Sequence, residues 1–173
     1  MSVPLWHEEA IGRHHDRKSF DCGNSELNSF FGEHARKNHE QGASKTFLAV
    51  RDDDGKTIMG FYSLSPVSIQ FDRASAIVTK GLPRYDVPMF RLGRLAVSLE
   101  YQGKGLMGGQ LLLAAGRRCL SVAEEAGGVA IFIDAKNERV AKWYESYGAV
   151  PLEDRALSLV LPFKTIRAVL KYL

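Results

Sequence analysis

The sequence is poor in cysteine and contains no long apolar run. Its two cysteines, Cys22 and Cys119, lie far apart and do not form a metal-ligand spacing. The amino-terminal residues, MSVPLWHEEAIG, carry charge by position 8 and contain no long apolar region, so we expect no signal peptide. No uncharged run approaches the ~20 residues that are needed to span a membrane. We therefore expect a cytoplasmic protein with no membrane partner.

An excess of charge of one sign is also missing. The 23 basic and 20 acidic residues give a net charge of +3, which does not by itself indicate a nucleic-acid partner. The hydrophobic content of 45% and the charged content of 25% are ordinary for a soluble globular protein. A chain of 173 residues can bury a substantial core, and no repeat, low-complexity segment or linker divides it. We predict a single domain over residues 1–173.

The sequence lacks a convincing set of metal ligands. Three of the five histidines lie within residues 7–15. A metal site is one interpretation, but adjacent His14 and His15 without an acidic or cysteine cluster are more typical of a solvated loop. The three aspartates at 52–54 lack the spaced ligands and the later glutamate of an EF-hand. We predict no metal.

Apolar periodicity and turn residues predict alternating strands and helices. Strands are predicted over residues 3–10, 46–51, 57–64, 89–97, 129–134 and 156–163, with another beginning at 149–150. Helices are predicted from about 24 to 41, from the glycine-rich stretch to 126, over 137–148 and in the tail 163–173. Asn24 or Ser25 is suited to cap the first helix, and an Asp-Gly turn joins the second and third strands as a hairpin. This order indicates a mixed α/β fold.

Residues 65–88 fit no regular pattern. Three prolines and several basic residues indicate an irregular, basic excursion, within which 74–78 forms a short strand or a turn of helix. Long loops in a compact domain tend to be functional or disordered. We expect this segment to shape the acceptor side of a site.

The most informative stretch joins the strand 89–97 to the long helix through residues 101–109, YQGKGLMGG. The first N–H groups of a helix lack intrahelical partners and carry the positive end of its dipole. Glycines let a pyrophosphate approach these groups without a Cβ in the way. Alternatively, this glycine-rich stretch only connects the strand to the helix and binds no ligand. A bare G-x-G-x-x-G is present, but no acidic residue and βαβ partner follow for a dinucleotide site, and no G-K-[ST] follows for a Walker loop.

The short helix 137–148 presents one amide and one phenol on the same face. Asn137, Val140, Ala141 and Tyr144 are spaced at i, i+3, i+4 and i+7. Two interpretations of Tyr144 are open, a packing residue whose hydroxyl is satisfied locally or a group that faces a substrate. Spacing alone favours the packing role.

Four ordered blocks, between about residue 20 and residue 163, resemble the GNAT family of N-acetyltransferases. The blocks are Phe20-Asp21-Cys22-Gly23 with Leu27, Leu92–Val97, Gln102–Gly105 and Ala141–Gly148. The glycine block is similar to the family's acetyl-CoA signature, Q/R-x-x-G-x-G/A, with Gln102 and Gly105 at the matching positions and Met107 where glycine or alanine is usual. The closest likeness is to the acetyltransferase toxins of bacterial toxin–antitoxin pairs.

This resemblance implies a single-domain GNAT fold, a mixed sheet with flanking helices whose central strand pair splays apart to admit the cofactor arm. It implies acetyl-CoA as the acetyl donor. Backbone groups of the splayed strand would bind the arm as an added strand binds a sheet edge. The implied cofactor-binding residues are Leu95, Ala96, Val97, Gln102, Gly103, Lys104, Gly105, Leu106, Met107, Gly108 and Asn137. Tyr144 would protonate the leaving thiolate as general acid.

The implied reaction is the aminolysis of a thioester, in which a backbone N–H stabilises the oxyanion. A lysine side chain with a pKa of ~10.4 is almost wholly protonated at neutral pH, whereas an α-amine with a pKa of ~8 is already partly neutral. The strand 89–97 contains no carboxylate, and Glu100 is the nearest candidate base. The lack of an obvious base favours an α-amine acceptor.

The toxins that the sequence resembles acetylate the α-amine of aminoacyl-tRNA, which blocks translation. Their partners would be the charged tRNA, a cognate DNA-binding antitoxin and a second copy of the chain in a homodimer. The basic residues that would contact RNA phosphates are Arg36, Lys37, Lys45, Arg73, Lys80, Arg84, Arg91 and Arg94. Arg36, Lys37 and Lys45, near the end of the first helix, serve equally well to complement its dipole.

Two other functions are open from the sequence. A housekeeping N-acetyltransferase for a small amine or a protein N-terminus predicts an acidic acceptor pocket and indifference to RNA. A non-catalytic module, in which Met107 closes the cofactor site, predicts binding of RNA or antitoxin alone.

Overall fold

A computed structural model describes residues 2–172 and contains a seven-stranded sheet with flanking helices. The strands are β1 Trp6–Ala10, β2 Lys45–Arg51, β3 Ile58–Ile69, β4 Val87–Val97, β5 Ala130–Asp134, β6 Val150–Pro151 and β7 Ser158–Pro162. The helices are α1 Ser25–Ser29, α2 Ala35–Gln41, α3 Ala76–Thr79, α4 Met107–Ala126, α5 Glu138–Glu145 and α6 Phe163–Leu170. The strand order is β1-β2-β3-β4-β5-β7-β6. β4 and β5 are parallel, whereas β1–β2, β2–β3, β5–β7 and β6–β7 are antiparallel, so the predicted mixed α/β fold is confirmed.

The chain divides into two compact units. The first comprises the described residues up to Ser65 together with Gly93–Leu112, and the second comprises Pro66–Leu92 and the described residues from Leu113 onward. β3, β4 and α4 each continue from one unit into the other. Between residues 2 and 172, no helix is both long and apolar enough to cross a membrane.

The first helical segment starts as predicted but is not a uniform α-helix. The side-chain oxygen of Asn24 accepts a hydrogen bond from the N–H of Leu27 at 3.0 Å, which confirms Asn24 as the cap. Between α1 and α2 the backbone forms a π-helical turn, Phe30–His34, which a 3.6-residue periodicity does not predict. Within this turn Phe31 stacks on Phe61 of β3, with ring centroids 4.4 Å apart, in the core of the first unit.

β3 contains a glycine where the end of β4 comes close. A Cβ at Gly60 would lie 2.6 Å from the carbonyl oxygen of Ala96 and 2.7 Å from Cδ1 of Leu111. The N–H of Ser98, directly after β4, donates to the carbonyl of Met59 at 2.9 Å. The missing side chain at Gly60 therefore permits the close approach of the segment that leads into the glycine-rich turn.

Part of the segment predicted to be irregular is regular. β3 continues through Pro66, so the predicted end of this strand at residue 64 is wrong. The first β2 residue, Lys45, pairs with Leu64, so Pro66 lies beyond β2 and its missing N–H removes no hydrogen bond to that strand. The short element predicted at 74–78 is the helix α3, which Ser75 caps.

The second unit has β5 at its centre. β5 pairs with β7 over five positions, from Ala130↔Pro162 to Asp134↔Ser158. Its apolar side chains are buried, as the continuous run 129–134 predicts. The predicted strand at 149–150 and the predicted helix in the tail are confirmed as β6 and α6.

Replacing Gly60 by alanine should destabilise the fold, because its Cβ would overlap a backbone carbonyl that cannot rotate away. We expect the Gly60→Ala variant to lose about 1–3 kcal/mol of unfolding free energy in urea titrations. Gly93→Ala is the matched control, since a Cβ at Gly93 has no heavy atom within 4 Å. Equal unfolding free energies for the two variants would contradict the close approach.

Candidate functional site

The end of β4 runs on beyond its partner β5. Their registered pairs extend only from Phe90↔Ile131 to Leu92↔Ile133, and β4 continues to Val97. In this continuation the side chain of Ala96 is buried, whereas Leu95 and Val97 are half-buried. The pairing is short because β5 itself ends at Asp134, and the splaying of the central strands stays a prediction.

The turn after β4 is braced by the side chain of Gln102. Its Nε2 donates to the carbonyl of Cys22 and to the carbonyl of Val97, both at 2.8 Å. The N–H of Leu99 donates to the carbonyl of Asp21 at 2.9 Å. The Gln102 side chain therefore holds the turn against the end of β4 and against a distant backbone segment at Cys22.

Several backbone N–H groups of this turn have no partner. The N–H groups of Lys104 and Met107 bond to the carbonyls of Tyr101 and Lys104 at 3.3 and 3.1 Å. Those of Gly103, Gly105 and Leu106 make no hydrogen bond within residues 2–172. Because these three residues have φ values of 71°, 55° and 53°, the backbone curls into a nest of N–H groups at the start of α4. Such a nest binds anions.

Met107, the departure from the family signature, does not obstruct the turn. Its side chain is 2% exposed and belongs to the core. The side chain that projects outward is that of Leu106, which is 77% exposed. The geometry of the turn therefore fits a pyrophosphate despite the methionine.

In the second unit, Asn137 caps the helix that carries Tyr144. Its Oδ1 accepts the N–H of Val140 at 2.9 Å, and the residue as a whole is exposed. The sequence predicts a cofactor contact for Asn137, and this helix-capping role was not predicted. The cap fixes the start of α5 and so the direction in which its later residues point.

Tyr144 follows Asn137 by seven residues and lies in α5, and it is 7% exposed. Its ring packs edge-on against Trp143, with centroids 4.9 Å apart. Its hydroxyl makes no hydrogen bond to the described residues and is not among the fully buried polar atoms that lack a partner, so it reaches solvent. Burial raises the pKa of this hydroxyl above its ordinary value. Tyr144 is therefore protonated at neutral pH.

Most of the basic side chains predicted to bind RNA have partners within the protein. Arg36, Arg73, Arg84 and Arg91 form ion pairs with Glu40, Asp154, Asp72 and Asp134 at 2.8, 3.0, 2.5 and 2.5 Å. Lys45 donates to the carbonyl of His39 at 2.8 Å, and Arg94 stacks over the ring of Phe30 at 3.7 Å. Lys37 and Lys80 are exposed. The ion pairs of Arg84 and Arg91 are exposed and contribute little stability, so these two arginines can exchange their partners for phosphate. Arg36 and Arg73 are half-buried.

The amino-terminal histidines gather around an acidic residue, which the sequence analysis does not predict. Atoms of Glu9, His14 and His15 that are able to ligate a metal lie within 4.8 Å of one another. His15 donates from Nε2 to Glu9 at 2.9 Å, because its Nδ1 accepts the N–H of Gly12 at 2.9 Å. A metal-bound histidine normally donates its other ring N–H, so this arrangement favours hydrogen bonding over metal binding. These contacts lower the pKa of Glu9, with His15 as the main cause.

No protein-family profile matches the chain. The tRNA-acetylating toxin of Mycobacterium tuberculosis is 33% identical over 155 residues, and the match covers 90% of each chain. A structure of AtaT complexed with acetyl-methionyl-tRNAfMet is similar with a TM-score of 0.86 and 26% identity, covering 96% of this chain and 99% of that one.

Two further solved structures show similar proteins with their partners. A tyrosine-to-phenylalanine mutant of the AtaT toxin, bound to the C-terminus of the antitoxin AtaR and to acetyl-CoA, has a TM-score of 0.80 and 25% identity over 95% of this chain and 98% of that one. A KacTA–DNA complex has a TM-score of 0.80 and 25% identity over 97% of this chain and 99% of that one.

The histidine cluster yields a test by pH titration. His7 contacts Asp52 and Glu9, each at 2.6 Å, and these two carboxylates raise the pKa of its imidazole, Asp52 more than Glu9. NMR titration of the His7 ring should give a midpoint above the ordinary value of about 6.5, and Asp52→Asn should lower it. The stabilisation from protonated His7 is complete below the unfolded pKa and disappears as the pH rises through the folded pKa.

The control is Asp72→Asn, because Asp72 pairs with Arg84 instead of a histidine. A His7 midpoint at or below 6.5 in the wild-type chain would refute the charged contact with Asp52.

Proposed function

The chain belongs to the family of tRNA-acetylating toxins, and we propose that it transfers the acetyl group of acetyl-CoA to the α-amine of aminoacyl-tRNA. It is an acetyl-CoA-dependent N-acetyltransferase toxin that blocks translation. The observation that carries the proposal is the nest of unpartnered N–H groups at the start of α4. This nest provides the anion site that the pyrophosphate of acetyl-CoA needs.

Acetyl-CoA supplies an acetyl group that is activated as a thioester. We assign its binding to the end of β4 and to the turn, through the backbone groups of this chain. The proposed cofactor-binding residues are Leu95, Ala96, Val97, Gln102, Gly103, Lys104, Gly105, Leu106, Met107, Gly108 and Asn137. Gln102 contributes by bracing the turn, while Gly103, Gly105 and Leu106 offer free N–H groups.

Tyr144 is the proposed general acid. A neutral α-amine attacks the acetyl carbonyl, its nitrogen gives up a proton to water, the carbon–sulfur bond breaks, and the departing thiolate takes a proton from Tyr144. The Tyr144 hydroxyl suits this role because it is protonated and makes no hydrogen bond to the described chain that a transferred proton would have to break. No dedicated base is required for an acceptor with a pKa near ~8, since part of it is already neutral.

Binding of the charged tRNA depends on basic side chains, most of which are exposed. We propose contacts with its phosphates at Arg36, Lys37, Lys45, Arg73, Lys80, Arg84, Arg91 and Arg94. Each neutralised phosphate makes binding more sensitive to salt.

The partners follow from the same family membership. We propose that a cognate DNA-binding antitoxin neutralises this toxin and that the toxin forms a homodimer in the cytoplasm, where charged tRNA is found. We also propose that residues 1–173 form one acetyltransferase domain, because β3, β4 and α4 each continue through both compact units.

Transfer of labelled acetyl from acetyl-CoA to a pool of charged tRNAs tests the reaction and its acid together. We expect label on the aminoacyl group with the wild-type chain, and a kcat lower by about 100-fold or more with Tyr144→Phe, because the proton donor is lost. The dissociation constant for acetyl-CoA should change little. Tyr172→Phe, which removes a hydroxyl from a residue that is 91% exposed, is the control.

Label on small amines or protein N-termini but not on RNA would contradict aminoacyl-tRNA as the acceptor. It would indicate a housekeeping N-acetyltransferase instead. Absence of acetyl-CoA binding would contradict an acetyltransferase and would indicate a non-catalytic module that binds RNA or antitoxin. An unchanged rate in Tyr144→Phe would remove Tyr144 from the mechanism.

The pH dependence of the reaction supplies a second test of Tyr144. The acid must be protonated, and burial raises the pKa of Tyr144, so its ionisation begins to reduce the rate only above its ordinary value of about 10. We expect kcat/KM to rise as the acceptor amine loses its proton near pH ~8 and then to stay level to about pH 9.5. Initial rates over short times limit hydrolysis of the aminoacyl ester. A fall in kcat/KM below pH 9 would point to a different acid.

A further inference from the structure

One side-chain amide connects the start of α4 to the edge strand β1. Gln110 donates from Nε2 to the carbonyl oxygen of Gly105 at 2.6 Å, and its Oε1 accepts the indole N–H of Trp6 at 2.9 Å. Because one end of the amide meets an acceptor and the other meets a donor, only one orientation of the amide satisfies both. Trp6 therefore fixes which way Gln110 points.

The contact with Gly105 also orients the peptide that follows. In a trans peptide the carbonyl oxygen and the next N–H lie on opposite sides. Holding the Gly105 carbonyl against Gln110 directs the N–H of Leu106 away from Gln110. This N–H is one of the groups in the turn that have no partner among the described residues.

Leu106 keeps an unfavourable backbone conformation. Its φ of 53° is the only positive value among the non-glycine residues that the structure describes. The conformation is strained for a residue with a Cβ, and the exposed side chain has little packing to offset the strain. The hydrogen bond from Gln110 to the adjacent carbonyl helps to hold the peptide in this conformation.

The segment before β1 packs on the same turn. A Cβ at Gly105 would lie 2.9 Å from the backbone nitrogen of Val3 and 3.1 Å from its Cγ1. Val3 therefore lies directly against Gly105, and Trp6 reaches the turn through Gln110. Val3 and Trp6 therefore support the turn, Val3 directly and Trp6 through Gln110.

We propose that Gln110 and Trp6 are positioning residues for acetyl-CoA, which hold the Gly105–Leu106 peptide with its N–H toward the pyrophosphate. Without this support the peptide is free to rotate and present its carbonyl oxygen, which repels a phosphate. Strand β1 thereby contributes to acetyl-CoA affinity although it contains none of the cofactor-binding residues. This proposal rests on the proposed function, because it assumes that the turn binds acetyl-CoA.

Steady-state kinetics with two acetyl donors tests the proposal. The donors are acetyl-CoA and acetyl-pantetheine, which lacks the pyrophosphate. We expect Trp6→Phe, which removes only the N–H donor, to raise KM for acetyl-CoA about 3- to 10-fold. Gln110→Ala should raise it further, by about 10-fold or more, because both contacts are lost. In both variants kcat at saturating acetyl-CoA and KM for acetyl-pantetheine should match the wild-type values.

A variant that merely misfolds would change kcat and both KM values together, so that result would overturn the positioning role. Unchanged KM for acetyl-CoA in both variants, with a wild-type chain that binds acetyl-CoA, would also overturn it and leave the proposed function intact. Failure of the wild-type chain to bind acetyl-CoA would overturn both. Gln41→Ala, which removes an exposed amide at the end of α2, is the control and should match the wild-type chain.

Discussion

A group of backbone N–H donors without carbonyl partners persists only where the surrounding chain prevents the turn from closing on itself. In this protein such donors lie within residues 103–106, at the positive end of a helix of 20 residues. The contacts that keep them open come from far away in the sequence. Gln102 reaches the carbonyl of Cys22, and Gln110 meets the indole of Trp6. Two segments of the first unit that are distant in sequence, at Cys22 and at Trp6, therefore hold one short turn.

The two compact units supply different chemistry. The first presents backbone donors, which are fixed dipoles suited to a permanent anionic group. The second presents Tyr144, a phenol that is protonated at neutral pH and whose pKa burial raises further. The two proposed roles call for different groups, because a phosphate needs several donors at once, whereas a departing thiolate needs a single proton.

The sequence predicted what depends on local patterns and missed what depends on distant contacts. Periodicity and glycine placement were sufficient to locate the strands, the long helix and the turn, and one of the two candidate caps, Asn24, is the cap in the structure. The continuation of β3 through Pro66 depends on where β2 starts, which no local pattern contains. The contact of Trp6 with Gln110 joins residues separated by 104 positions. Likewise, the approach of Glu9 to His15 depends on how the following loop folds back.

The cap at Asn137 has a consequence for the interpretation of mutants. Its side-chain oxygen is already engaged by the N–H of Val140, so the residue contributes to the integrity of α5 whether or not a ligand is present. An alanine at this position removes about 0.5–2 kcal/mol of helix stability. Because Tyr144 lies in the same helix, its position becomes less well defined. Lost turnover in such a mutant would therefore not identify a ligand contact. Serine or aspartate, which cap a helix nearly as well, separates the two roles.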